Sequence, residues 1–154
     1  MIISCCDSRA APETIFSALP GDIFVVRNVA NLVPPNGADA YGHATSAALE
    51  FAVLGLKVKH ILVMGHACCG GVQAALAPSG EPLSPGNFVG QWIPLLEEAA
   101  NTVKAMPSLS DTERQTTLER LSVRNSLDNL RSFPFVHSLE QQGLLTLYLS
   151  LIHI

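Results

Sequence analysis

Three short apolar runs alternate with helix-forming stretches, and each run ends in a polar or glycine-rich turn. MIIS (1–4) leads to PETIFSAL (12–19), where Pro12 stands near the first turn of a helix. IFVVRNVAN (23–31) leads, past the loop LVPPNG (32–37), to TSAALEFAVLGL (45–56), in which Ala48, Phe51, Ala52 and Gly55 keep helical spacing. KHILVMGH (59–66) leads to CGGVQAALA (69–77). Strand and helix repeated three times in this order predict a parallel sheet covered by helices on both faces, because a parallel neighbour is reached only through a crossover. The unbroken apolar character of the runs suits strands buried on both sides.

Beyond the loop PSGEPLSPG (78–86), Phe88, Trp92, Leu95, Ala99 and Val103 hold three-to-four-residue spacing and predict one longer helix, ended by Pro107. Ser110 and Glu113 form a capping box for a helix through about Leu130. PFVHSLEQQG (134–143) reads as a short helix stopped by Gly143, and LLTLY (144–148) as a final strand. The length of 154 residues suits one domain. Hydrophobic residues at 48% against 14% charged supply a sizeable core, and the mean hydropathy of +0.31 points to a further buried surface such as a subunit interface. A net charge of −4 excludes a basic footprint for nucleic acid or an anionic membrane. No apolar run approaches the roughly 18 residues of a spanning helix. No basic segment precedes an apolar one as in a signal peptide, so the expected location is cytoplasmic.

All four cysteines fall in two adjacent pairs, Cys5–Cys6 and Cys68–Cys69. Sequence neighbours rarely pair with each other, which argues against a disulfide framework and for metal-binding or reactive thiols in a reducing compartment. In an open parallel sheet, ligands bind beyond the carboxyl ends of the strands. The first strand ends at Cys5 and the third at His66, so neighbouring strands would bring both clusters to one edge. His66 and Cys69 have H-x-x-C spacing across a strand-to-helix turn. With Cys5 they make a Cys2His set, a known catalytic zinc arrangement with an open fourth position. Asp7 can reach that position or pair with Arg9. Taken singly, each residue has a plainer role: a core cysteine, a loop histidine, a helix cap, a surface cation. Taken together they are hard to explain that way. Cys6 and Cys68 are assigned to core packing, and His43, His60 and His137 to no site.

Cys5-Cys6-Asp7-Ser8-Arg9 and Gly65-His66-Ala67-Cys68-Cys69-Gly70-Gly71 resemble the C-x-D-x-R and G-H-x-x-C-G-G signature of the β-class carbonic anhydrases. Residues 20–35 and 46–66 resemble the family as well. The resemblance implies a Rossmann-like α/β fold with a mainly parallel sheet flanked by helices. It implies one zinc ion per chain held by Cys5, His66 and Cys69, with Asp7 as a fourth ligand in some members. In others Asp7 pairs with Arg9, and Asp7 and Arg9 serve catalysis. It further implies reversible hydration of CO2 to bicarbonate and a proton by zinc-bound hydroxide, in a homodimer or higher homo-oligomer. The same site acting on CS2 or COS, or binding zinc or bicarbonate without turnover, are the other readings. The plant-like branch carries a Gln before the Pro-Gly turn, where Leu19 stands here. Arg27 matches an arginine of a non-catalytic bicarbonate site in some members, and no such site is assigned here.

Members of the family usually carry an N-terminal helical arm ahead of the first strand. The string LSLIHI (149–154) is also a translation of a transposase mosaic-end adapter. The expected layout is therefore a single domain over residues 1–148, truncated at its N-terminus, with a non-native tail over 149–154.

Overall fold

A computed structural model describes residues 1–37, 44–77 and 81–153. Four strands, β1 (Ile2–Cys5), β2 (Val25–Asn28), β3 (His60–His66) and β4 (Thr146–Ile152), form one sheet in the order β2-β1-β3-β4. Every neighbouring pair is parallel. The expected α/β class and parallel sheet are therefore observed. Central β1 is buried along its whole length, whereas β2 and β4 at the edges are partly exposed. Coverage on both faces thus holds for the middle of the sheet only.

The helices are α1 (Pro12–Ile15), α2 (Ala44–Glu50), α3 (Gly70–Leu76), α4 (Phe88–Trp92), α5 (Glu97–Lys104), α6 (Asp111–Arg131) and α7 (Pro134–Gln141). Helix α6 packs against β3, β4 and α5. Its start is the predicted capping box: Glu113 N–H donates to Ser110 Oγ, and Ser110 N–H donates to Glu113 Oε2 at 2.8 Å. Two apolar clusters make up the core. One joins Ile3, Ile61 and Val63 of the sheet to Leu49, Val53, Leu130 and Val136. The other gathers around the carboxyl ends of the strands and includes Cys5, Ala30, Leu32, Cys69, Val72 and Leu118. Each fully buried Ile, Leu or Val there contributes about 1.5–3 kcal/mol relative to an exposed one.

Several boundaries differ from the sequence reading, each for a local reason. The first helix stops at Ile15, because Ser17 turns left-handed at φ 50°. The second strand ends at Asn28, whose side chain accepts from Leu32 N–H and donates to Leu32 O, both at 2.8 Å. That clasp closes a tight turn over Val29–Asn31 in which Ala30 has φ 63°. Helix α2 gives way to a wider π-turn over Phe51–Gly55, in which Leu56 N–H reaches back to Phe51 O. The single helix expected over 88–103 is broken at Ile93–Leu96, because Pro94 has no N–H to donate. The last strand starts at Thr146 and runs to Ile152 rather than spanning 144–148. Residues 149–152, assigned to the tail by the sequence reading, pair with Val63–His66. His43 lies outside the described residues.

Candidate metal centre

Strands β1 and β3 are adjacent, with Ile3 opposite Val63 and Ser4 opposite Met64. This register carries Cys5 and His66 to the same edge of the sheet. Three residues further on, Cys69 is the N-cap of α3. The ligand atoms of Cys5, His66 and Cys69 all lie within 4.8 Å of one another, and the two sulfurs are 3.9 Å apart. Two thiolates on one tetrahedral zinc, at about 2.3 Å each, sit about 3.8 Å from each other, so the sulfur spacing fits that ion.

The histidine supplies a second, independent indication. His66 is 1% exposed, and its Nδ1 lies 2.9 Å from the Ala67 carbonyl oxygen. A carbonyl only accepts, so Nδ1 donates to it and Nε2 is the nitrogen left for a ligand. That Nε2 is buried and has no hydrogen-bond partner among the described residues. A buried polar atom left this way is costly unless something binds it. A histidine with one nitrogen tied to a backbone carbonyl and the other directed at two sulfurs has the form of a metal ligand with its orienting contact.

Asp7 and Arg9 stand beside the three donors. Arg9 Nε and an Nη donate to the two Asp7 oxygens at 2.9 and 2.8 Å, and Arg9 N–H donates to Oδ1 at 3.0 Å. The guanidinium holds the Asp7 carboxyl well below the usual carboxylate range. Of the two arrangements left open by the sequence, this structure has Asp7 paired with Arg9. The loop itself is fastened from below. Arg27 donates to the carbonyls of Cys5 at 2.9 Å and Asp7 at 2.6 Å, and buried Ser4 Oγ donates to Ala10 O at 2.8 Å. Arg27 is thus committed to the backbone of the loop.

The two sulfurs lie within hydrogen-bond distance of each other. A hydrogen bond from the Cys69 thiol, assisted by Asp7 N–H and opposed by burial, lowers the Cys5 thiol to about 5. The same contact, together with burial, pushes Cys69 up.

A family profile described as carbonic anhydrase matches residues 1–154. The chain belongs to the β-carbonic anhydrase family. It is 38% identical over 149 residues to beta carbonic anhydrase 5, chloroplastic, of Arabidopsis thaliana, covering 96% of this chain and 48% of that protein. The chain therefore spans about half the length of this curated relative. Among solved structures, the β-carbonic anhydrase CcaA superposes with a TM-score of 0.86 at 28% identity, over 99% of this chain and 73% of that one. One of the tetrameric β-carbonic anhydrases of Sordaria macrospora superposes with a TM-score of 0.80 at 31% identity, over 99% and 74%.

Two assignments within this β-carbonic anhydrase fold need correcting. Cys6 and Cys68, expected in the core, are exposed. Cys68 adopts φ 54°, which turns its side chain away from the cluster that holds Cys69. Cys6 follows the last residue of β1. His60 and His137 are exposed, and His60 lies against Tyr148 with ring centroids 5.7 Å apart. Leu19 is exposed in the turn before β2. Sequence reasoning missed Glu119 of α6. It is 2% exposed, and its Oε1 accepts from Cys69 N–H at 3.0 Å. Nothing in its neighbourhood along the chain marks it; only the packing of α6 beside α3 brings it to the site.

Proposed function

We propose that the chain is the zinc-binding part of an enzyme that interconverts CO2 and water with bicarbonate and a proton. The observation that carries this reading is the buried cluster of Cys5, His66 and Cys69, whose ligand atoms lie within 4.8 Å of one another, with no N or O partner for His66 Nε2 among the described residues. Family membership and the Asp7–Arg9 pair beside the donors support it. Cys5, His66 and Cys69 would hold zinc, which when bound supplies a water acidified to near neutrality as the nucleophile.

The remaining work falls to this chain's own residues. Arg9 keeps Asp7 ionised across the working pH range. Asp7 therefore accepts a hydrogen bond from the nucleophile and does not serve as its proton store. Accepting that bond leaves a lone pair of the nucleophile turned toward the carbon of CO2. Ala30, Leu32 and Val72, packed with the two sulfurs, keep the inner side of the site apolar, which suits an uncharged substrate. One water and one CO2 give one bicarbonate, and the released proton passes to buffer. Thiolate ligands suit a reducing compartment, and the expected cytoplasmic location belongs to this proposal.

The proposal includes a homo-oligomer. Ile15, Phe16, Leu19, Phe51, Leu54 and Leu56 are exposed apolar side chains that a subunit interface would cover. The test is stopped-flow CO2 hydration at pH 8.5 on the zinc-loaded chain, with Cys69→Ala as the control. Hydration that is lost in the control supports the reading. Equal rates in both, or no hydration with one zinc per chain bound, overturn it.

A further inference from the structure

The peptide that joins Cys68 to Cys69 is gripped at both of its polar ends. Its carbonyl, on Cys68, accepts from an Arg9 Nη at 3.4 Å. Its N–H, on Cys69, donates to Glu119 Oε1 at 3.0 Å. The grip matters because the turn is strained: Cys68 sits at φ 54°, a region that side chains other than glycine enter at a cost. Rotation of this peptide would swing Cys69 Sγ away from Cys5 and His66. The Val72 and Gly71 N–H groups face the Cys69 sulfur, whereas the peptide that precedes it is held by Arg9 and Glu119.

Glu119 is held in its turn. Gln115, one helical turn earlier on α6, donates from Nε2 to the same Oε1 at 3.1 Å. The carboxyl group lies in a nearly dry position at 2% exposure, where a hydrogen bond is stronger than in water and a wrongly placed acceptor is costly. Helix α6 also packs against β3, the strand that ends in His66. The segment therefore connects to two of the three donors: to His66 through packing and to Cys69 through a hydrogen bond.

We propose that Glu119 is a positioning residue for the metal: it sets the Cys68–Cys69 peptide, with Gln115 aligning its carboxyl group, so that Cys69 Sγ is delivered to the ion. The inference rests on zinc binding by Cys5, His66 and Cys69. It implies that Glu119 acts on metal retention and ligand geometry without touching substrate.

The test compares Glu119→Leu, Glu119→Gln and Gln115→Leu with the unaltered chain. Zinc release to a chelator is followed by stopped flow, and the thiolate-to-metal absorption of the cobalt-substituted protein is recorded. Glu119→Leu should release zinc about 10–100-fold faster, the range found when an orienting partner is lost, and should shift the cobalt spectrum. Glu119→Gln, which keeps an acceptor, should restore most of the retention. Gln115→Leu should give a smaller change in the same direction. Release and spectra that match the unaltered chain overturn the inference, as does a Glu119→Leu chain whose unfolding midpoint falls while its zinc release and cobalt spectrum stay the same. Should Glu119→Leu not fold, Gln115→Leu decides in the same way. An unaltered chain that takes up no zinc would instead refute the proposed function on which the inference rests.

Discussion

Arg9 holds Asp7 by a two-pronged contact, Nε to Oδ1 at 2.9 Å and Nη to Oδ2 at 2.8 Å. The fork fixes the plane of the carboxylate as well as its charge, which a lysine ammonium cannot do. Arg9→Lys should therefore lower kcat/KM for CO2 hydration at pH 8.5, per zinc bound, by about tenfold or more. Removing the fork lets the Asp7 carboxyl rise toward its ordinary value near 4. Asp7 would still be ionised at pH 8.5, so a loss there reports misorientation and not protonation. Asp7→Asn should lose at least as much. A full rate in Arg9→Lys would remove Asp7 orientation from the mechanism.

The shared proton of the sulfur pair gives a second expectation. In the metal-free chain Cys5 is lowered to about 5 and Cys69 is raised. Between pH 7.5 and 8.5 the pair therefore carries one proton between its two sulfurs. Zinc must displace that proton, so binding should release about one proton per chain and tighten about tenfold per pH unit over this interval. Calorimetry in buffers of different ionisation enthalpy measures the number. A value near two would show that the hydrogen-bonded thiolate does not exist in solution.

Two consecutive glycines should respond in opposite ways. A Cβ on Gly71 would lie 2.8 Å from Val29 Cγ1, 3.0 Å from Ala30 Cβ and 3.3 Å from Ala30 N. The turn after β2 is clasped by Asn28 and cannot retreat, so Gly71→Ala should cost about 1–3 kcal/mol. A Cβ on Gly70 meets nothing within 4 Å among the described residues. At the start of α3, Gly70→Ala should be neutral or stabilising by about 0.5 kcal/mol. Urea unfolding of the two variants settles the contrast, and similar costs for both would contradict it.

The end of β4 bears on the metal through β3. Leu149–Ile152 pair with Val63–His66, and Ala67 N–H donates to Ile152 O at 2.9 Å. Removing residues 149–154 should cost about 3 kcal/mol in lost backbone hydrogen bonds, at about 0.5–1.5 kcal/mol each. It should also speed zinc release, because the strand that ends in His66 becomes a free edge. An unchanged unfolding midpoint in the shortened chain would show that these residues do not belong to the working sheet.

The order of strands and helices, the capping box at Ser110 and the convergence of Cys5, His66 and Cys69 were legible in the sequence. Each rests on a local rule: periodicity, a four-residue hydrogen-bond pattern, or ligand spacing at strand ends. The apolar spacing after Phe88 predicts one helix, and Pro94 interrupts it because proline has no N–H to donate. What the tertiary structure alone decided lies between elements distant in sequence. Glu119 meets Cys69 across 50 positions because α6 packs beside α3. Arg27 reaches the Cys5 and Asp7 carbonyls because β2 is the neighbour of β1. The outward turn of Cys68 follows from a backbone angle, which residue type does not dictate. Local spacing determines which side chains can be ligands. Their aim depends on hydrogen bonds from partners that only the folded chain brings within 3 Å or so.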